Sequence, residues 1–252
     1  MALRDKIRHA WFRTRVPLAV NYFRYREPNA LMFWVPKTAG TSISTLLTEQ
    51  ANCQVYLWIN EIRYLFPQKG LVTFGHFSCR ELLDQGYINR GFFNSAYRFG
   101  FVRNPFDRAV SLYKYFARNQ TIAPEMEFID FCRQLHSREI EPVGLYNLRG
   151  WSQANPQVEW FRGLNLSYIG RTETISEGMH VASDALKLQL PEVPVVNQSE
   201  GKHKKFSAYY CDESKDLVRR YYLEDFEAFG YDPDDLQADP STAPVRIVYE
   251  EH

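Results

Sequence analysis

Cysteine motifs are missing from this sequence. The four cysteines, Cys53, Cys79, Cys132 and Cys211, form no CxxC pair and have no closely paired histidines nearby. Such wide spacing argues against a zinc site or a redox motif. It indicates free thiols in a reducing cytosol.

Long apolar runs are missing as well. No stretch approaches the ~18 consecutive apolar residues that a membrane span needs. The basic N-terminal segment is interrupted by charges, whereas a signal peptide has an uninterrupted apolar core. We therefore expect a soluble, cytoplasmic protein without a transmembrane segment.

An excess of charge of one sign is also lacking, because 30 Lys and Arg residues balance 30 Asp and Glu residues. A general nucleic-acid binder needs a basic excess to neutralise phosphates, so we expect no nucleic-acid partner. Local basic clusters can still bind one small anionic ligand.

What is present suffices for a large core, since 45% of the 252 residues are hydrophobic and 15% are aromatic. This composition predicts a single domain. We expect an N-terminal extension over residues 1–30, a core over 31–232 and a loosely held tail over 233–252.

Strands and helices alternate along the predicted core. Short apolar runs rich in strand formers lie at 31–35, 71–75, 97–102 and 167–173. Apolar residues at helical spacing follow the first, third and fourth of these runs. The alternation predicts an α/β fold with a P-loop-like central parallel sheet covered by helices on both faces.

Two helices have clear boundaries. Asn104 is a good N-cap, Pro105 suits the first helical position, and apolar residues follow at spacings of three and four. A second amphipathic helix is predicted over 211–229, with acidic residues at its start and Gly230 as its stop.

The segment PKTAGTS directly follows the first predicted strand. A loop between a strand and a helix N-terminus exposes unpaired backbone N–H groups and favours anions. Lys37 adds a positive charge, Gly40 allows close backbone approach, and Thr41 and Ser42 add hydroxyl donors. The ATPase pattern GxxxxGK[ST] does not fit, because Lys37 precedes Gly40 by three residues. Taken alone, the segment is also compatible with a simple tight turn before a capped helix.

A second basic motif, RNPFDRAVSLY, closes the third predicted strand. Arg103 lies at the strand end, and Ser111 lies eight residues later, nearly in line with Asn104 on the helix. A guanidinium and a hydroxyl facing one pocket suit a second phosphate. Read separately, Arg103 is compatible with a surface charge and Ser111 with a hydroxyl bonded to a helix carbonyl.

Together, these two motifs resemble those of the sulfotransferases that use 3′-phosphoadenosine 5′-phosphosulfate (PAPS). In that family the first motif holds the 5′-phosphosulfate and the second holds the 3′-phosphate. PKTAGTS, GHF at 75–77 and the ending YYLEDFEAFGYD are similar to the branch containing heparan-sulfate 2-O-sulfotransferase. The resemblance implies the sulfotransferase fold and PAPS as co-substrate.

The resemblance places donor binding on two groups of residues. They are Lys37, Thr38, Ala39, Gly40, Thr41 and Ser42 in the loop, and Arg103 and Ser111 in the second motif. Cationic side chains can serve where a kinase uses magnesium, so no metal is expected.

The resemblance also implies two catalytic residues. Lys37 would neutralise the leaving oxygen, and His76, directly after the second long apolar run, would accept the proton of the acceptor hydroxyl. A histidine near its reference pKa of ~6.5 can do so at neutral pH. The alternative is a structural histidine bonded to backbone at a strand end.

A basic loop at 197–206 contains Lys202 and Lys204. It is predicted to close over the 3′-phosphate of the donor, like the basic C-terminal loop of the superfamily. The alternative is a solvated run of charge.

Two rival functions use the same features: a nucleotide kinase or NTPase, and a non-catalytic nucleotide-binding protein. The acceptor stays open among a carbohydrate, a lipid headgroup, a small molecule and a tyrosine, and the sequence sets no oligomeric state.

Overall fold

A computed structural model describes residues 28–137, 152–190, 205–236 and 245 of the chain. Its strands are β1 (Ala30–Phe33), β2 (Gln54–Val55), β3 (Leu71–Thr73), β4 (Tyr97–Val102) and β5 (Tyr168–Arg171). Its α-helices are α1 (Gly40–Ala51), α2 (Ile59–Leu65), α3 (Cys79–Asp84), α4 (Arg90–Ser95), α5 (Pro105–Arg118), α6 (Phe128–Ser137), α7 (Ile175–Leu186), α8 (Asp212–Tyr221) and α9 (Leu223–Phe229). Short 3₁₀ helices cover Gln157–Trp160, Thr172–Thr174 and Phe206–Tyr209.

The five strands form one parallel sheet in the order β2-β3-β1-β4-β5. β1 is central, and it pairs with β3 on one side and with β4 on the other. In a parallel sheet the carboxyl ends of all strands meet at one edge. The loops after β1, β3 and β4, which contain the predicted site residues, therefore share that edge. The predicted α/β fold with a central parallel sheet is confirmed.

Both faces of the sheet are covered, and β1 shows how. Successive side chains of a strand point to opposite faces. Leu31 and Phe33 accordingly pack in one apolar cluster, whereas Ala30 and Met32 pack in the other. All four are buried. The central strand is thus fixed from both sides, which gives the following loop a rigid support.

Helix α5 forms as its sequence predicts. The Asn104 side chain accepts a hydrogen bond from the N–H of Phe106 at 2.9 Å, and Pro105 occupies the first helical position. Asp107 in the first turn and Arg118 in the last turn complement the helix dipole.

The C-terminal helix departs from its prediction. Instead of one helix over 211–229, the chain forms α8 and α9, separated at Tyr222. Tyr222 is fully buried, and its hydroxyl donates to the carbonyl oxygen of Ala154 at 2.8 Å. This buried anchor fixes the break, and Gly230 ends α9 with a left-handed φ of 67°.

No helix in the described residues combines the length and the apolar character needed to cross a membrane.

Candidate functional site

The loop between β1 and α1 has an unusual backbone. Lys37 and Ala39 have φ angles of 68° and 59°, in the left-handed region that non-glycine residues rarely adopt. Thr38 lies between them with a buried side chain, and its hydroxyl donates to the carbonyl oxygen of Val35 at 3.0 Å. Backbone in which the sign of φ alternates can turn successive N–H groups into a concavity suited to anions. The loop is therefore suited to a phosphate or sulfate group.

Gly40, the first residue of α1, is required for space. A Cβ there would lie 2.2 Å from Cδ1 of Trp34, far inside van der Waals contact. The indole therefore lies directly against the start of α1. The next two residues of the helix are Thr41, whose side chain is exposed, and Ser42, whose side chain is half-buried. The structure shows that Gly40 makes room for an indole ring, and the predicted close approach of a ligand at Gly40 stays a prediction.

Lys37 is half-buried at the centre of a cationic group. Its ammonium nitrogen lies 4.4 Å from the ring centroid of Tyr115 on α5. Burial, together with the positive charges of Arg103, Arg118 and Arg108, lowers the pKa of Lys37 to about 8. An anion placed beside Lys37 would relieve this repulsion and raise the pKa.

Arg103 brings the two sequence motifs together. Its Nε and Nη2 atoms each lie 2.7 Å from Oδ2 of Asp107, one helical turn away on α5. Its Nη1 donates to the carbonyl oxygen of Lys37 at 3.3 Å. The guanidinium of the second motif thus touches the backbone of the first, 66 residues earlier in the chain.

Ser111 lies on α5 four residues after Asp107 and is half-buried. Residues four apart share a helix face, so Ser111 and the carboxylate that pairs with Arg103 lie on the same side of α5. The start of this helix is also fixed from outside, because the N–H of Asn104 donates to Oε1 of Glu173 at 2.6 Å.

His76 follows β3 and is anchored to the loop after β1. Its Nδ1 lies 2.9 Å from the carbonyl oxygen of Trp34, and its ring packs edge-on to the Trp34 indole at 5.3 Å between centroids. Because a carbonyl only accepts hydrogen bonds, Nδ1 carries the proton and Nε2 carries the lone pair of the neutral ring.

Burial lowers the pKa of His76 to about 4, aided by the charges of Lys37 and Arg108 and opposed by the Trp34 hydrogen bond. The expected pKa near 6.5 is therefore wrong for the protein without ligand. His76 is neutral at physiological pH, with its basic nitrogen assigned to Nε2.

Arg108 was not predicted as part of the site. Its side chain is fully buried on α5, with Nε donating to the carbonyl oxygen of Pro36 at 3.0 Å and Nη2 to that of Gln153 at 2.8 Å. The guanidinium also lies 5.5 Å from the ring centroid of Tyr222. Arg108 therefore ties the first motif to distant parts of the chain, and a sequence offers no local signal for such contacts.

Gln157 was missed for the same reason. It is fully buried, and its side chain bonds both the N–H and the carbonyl of Arg103, each at 2.9 Å. The segment around it appears irregular in the sequence, although the structure uses it as a support for the second motif.

The basic loop cannot be placed, since Lys202 and Lys204 lie outside the described residues. Among the residues that are described, no group of three or more His, Cys, Asp or Glu side chains is arranged to hold a metal ion.

Comparison with known proteins gives one family. The model described as "Sulfotransferase family" matches residues 20–232. A search of the curated proteins found no significant match.

Among solved structures, the chain is similar to a sulfotransferase from Alicyclobacillus acidocaldarius. The sequences are 12% identical, and the TM-score is 0.47. The match covers 80% of this chain and 94% of that protein.

Proposed function

Because the chain belongs to the sulfotransferase family, we propose that it transfers the sulfuryl group of PAPS to a hydroxyl of a carbohydrate, lipid or small-molecule acceptor. The observation that carries this proposal is the contact between the two motifs, where Nη1 of Arg103 donates to the carbonyl oxygen of Lys37 at 3.3 Å. A donor with phosphate groups at two positions needs two anion sites side by side, and this contact joins them.

The charge of the site fits such a donor. The positive charges of three nearby arginines help to lower the pKa of Lys37. One of these arginines, Arg103, forms an ion pair with Asp107. Bringing cations together in this way is costly without an anion, and a bisphosphorylated nucleotide supplies several negative charges. Arg103 and Ser111 would hold the 3′-phosphate, and the loop from Lys37 to Ser42 would hold the 5′-phosphosulfate.

Sulfuryl transfer resembles phosphoryl transfer, in which the attacking and leaving oxygens lie in line. Lys37 would neutralise the charge that develops on the leaving oxygen. His76 would accept the proton of the acceptor hydroxyl at Nε2, since the Trp34 carbonyl fixes the proton of the neutral ring at Nδ1. The cationic side chains of Lys37 and Arg103 would do the work that a kinase assigns to magnesium, so the proposed reaction requires no metal.

The acceptor would approach on the side of His76. Leu57 and Trp58, with 40% and 51% of their surfaces exposed, follow β2 at the same edge of the sheet. A Cβ on Gly75 would lie 3.2 Å from Leu57, which places Leu57 beside the residue preceding His76. The likeness to the heparan-sulfate 2-O branch makes a carbohydrate one acceptor class to test.

Calorimetric titration with the bisphosphate PAP (3′-phosphoadenosine 5′-phosphate), AMP and ATP, with and without magnesium, tests the proposal. PAP should bind without metal and much more tightly than AMP. Arg103→Ala removes a charge-assisted contact and should weaken PAP binding ~10-fold or more. Arg133→Ala, which removes another ion-paired guanidinium on α6, is the matched control and should leave PAP affinity within about twofold.

Equal affinity for AMP and PAP would overturn the assignment of two phosphate sites. Tight binding of ATP that depends on magnesium would favour a kinase or NTPase instead. PAP binding without transfer to any hydroxyl acceptor would favour a non-catalytic nucleotide-binding protein.

A further inference from the structure

The Gln157 side chain occupies both hydrogen-bonding positions of the Arg103 backbone. The N–H of Arg103 donates to Oε1, and Nε2 donates to the carbonyl oxygen of Arg103, each at 2.9 Å. Arg103 is the first residue beyond β4, and β5 ends beside it, with Arg171 paired to Val102. A side-chain amide thus gives Arg103 the two bonds that a neighbouring strand would otherwise supply.

Gln157 is itself oriented by a buried carboxylate. Oδ2 of Asp225 accepts from the backbone N–H of Gln157 at 2.9 Å and from its Nε2 at 3.2 Å. Oδ1 of Asp225 accepts from the N–H of Val158 at 2.9 Å. Both Gln157 and Asp225 are fully buried. Because the carboxylate only accepts, it fixes which end of the Gln157 amide is the donor.

The guanidinium of Arg103 is carried by the backbone that Gln157 holds. It pairs with Asp107 and makes a long bond of 3.3 Å to the carbonyl oxygen of Lys37. The direction in which the side chain leaves the backbone therefore depends on the peptide that Gln157 holds. Small displacements of a charged donor are costly where geometry sets the interaction.

We infer that Gln157, oriented by Asp225, is a positioning residue that places Arg103 so that the donor site distinguishes nucleotides carrying a 3′-phosphate from those lacking it. This inference rests on the proposed function, since Arg103 is assigned there to the 3′-phosphate. Gln157 itself would touch neither donor nor acceptor, and it would act through Arg103.

A purely structural role for Gln157 makes a different prediction. If Gln157 only stabilised the packing of the 152–160 segment, its loss would loosen the whole site and weaken PAP and AMP alike. If it positions Arg103, its loss should weaken PAP selectively, because AMP needs the first loop alone. The ratio of PAP affinity to AMP affinity separates the two roles.

The experiment measures both affinities by calorimetry for the full chain and for Gln157→Leu, Arg103→Ala and the double variant. Gln157→Leu should lower PAP affinity about tenfold and change AMP affinity by less than about twofold. The double variant should bind PAP no more weakly than Arg103→Ala alone, since both changes disable the same contact. Gln153→Leu changes another buried glutamine of the same segment, whose Nε2 has no hydrogen-bond partner among the described residues, and should leave the ratio unchanged.

Asp225→Asn provides a second test if Gln157→Leu does not fold. It keeps the shape of the side chain but leaves a single acceptor oxygen, which cannot serve both Gln157 and Val158 as the two carboxylate oxygens do. The PAP to AMP ratio should fall in this variant as well.

Parallel losses of PAP and AMP affinity, additive effects of Gln157→Leu and Arg103→Ala, or an unchanged ratio in Asp225→Asn would each overturn the inference. The wild-type protein reports separately on the proposed function. If it does not itself prefer PAP to AMP, the two-phosphate assignment fails, and the inference falls with it.

Discussion

Lys37 and His76 are both shifted by burial toward their neutral forms. The pKa of Lys37 falls to about 8 and that of His76 to about 4. At neutral pH Lys37 therefore stays mostly charged while His76 is a neutral base. This combination suits the two roles proposed for them, since one must stabilise negative charge and the other must accept a proton.

The lowered pKa of Lys37 predicts a pH dependence of donor binding. As pH rises through about 8, Lys37 loses its proton and the loop loses a positive charge, so PAP affinity should decline. Lys37→Arg keeps its charge through this range and should show a flatter profile, because arginine stays protonated. Calorimetric titration of PAP from about pH 7 to about pH 9 measures both profiles. Identical slopes for the two proteins would show that Lys37 does not carry this dependence.

Removal of His76 should affect transfer without affecting donor binding. His76→Ala should lower the transfer rate ~10²–10⁴-fold, the usual range for a lost general base, with PAP affinity nearly intact. The wild-type kcat/KM should fall on the acid side near pH 4, and this limb should vanish in the variant.

His180→Ala, which changes an exposed histidine on α7, is the matched control and should keep normal activity. A folded His76→Ala protein with near-normal turnover would assign the base to another residue.

At the level of elements, prediction succeeds where the signal is local. α5 follows from its cap, its proline and its apolar spacing, and the loop before α1 follows from contiguous residues. β2 has two residues and α3 and α4 have six each, too short for a periodic pattern to appear. The break between α8 and α9 depends on Tyr222 bonding to Ala154, 68 residues away.

The same distinction applies to the candidate site. Lys37, His76, Arg103 and Ser111 lie in short motifs that a sequence displays directly. The residues that support Arg103 do not lie in such motifs, because Gln157 is 54 residues from Arg103 and 68 residues from Asp225. Nothing in the local pattern around a buried glutamine says which backbone it will bond.

The fit between Trp34 and the start of α1 predicts that Gly40→Ala will disturb the loop. The new methyl group would overlap the indole, so unfolding should become easier by ~1–3 kcal/mol, the usual cost of overpacking. PAP binding should weaken as well, because the anion-binding loop must shift.

Thr45→Ala, on the exposed side of the same helix, is the control and should change stability by less than about 0.5 kcal/mol. Urea unfolding followed by circular dichroism measures both variants. Equal stabilities would show that the indole moves aside freely.

Across the whole molecule, two buried groups titrate in opposite directions as the protein unfolds. Burial raises the pKa of Asp225 from 3.8 to about 6, despite the opposing charge of Arg108. The folded protein thus keeps this proton where the unfolded chain has lost it, and the contribution of Asp225 to stability falls as pH rises from about 4 to 6. For His76 the folded pKa is the lower one, so its contribution rises with pH from about 4 to 6.5.

Because the contributions of Asp225 and His76 to the free energy of unfolding change with pH in opposite directions, two variants should show opposite changes. Asp225→Asn should make stability rise more steeply with pH between about 4 and 6, whereas His76→Ala should make it rise less. Each slope should differ from wild type by up to about 1.4 kcal/mol per pH unit. Urea midpoints at several pH values in this window measure the slopes, and parallel profiles for all three proteins would contradict the assignment.

The support of Arg103 by Gln157 and Asp225 has a consequence for the folding of the chain during its synthesis on the ribosome. A nascent chain that has emerged only to about residue 190 already contains all five strands and both phosphate motifs. It still lacks α9, and with it the carboxylate that orients Gln157. Because synthesis runs from the N-terminus, all the described strands are available before the support of the proposed donor site is complete. If Gln157 positions Arg103 as we infer, selectivity for the 3′-phosphate can be acquired only after the last strand of the sheet has been made.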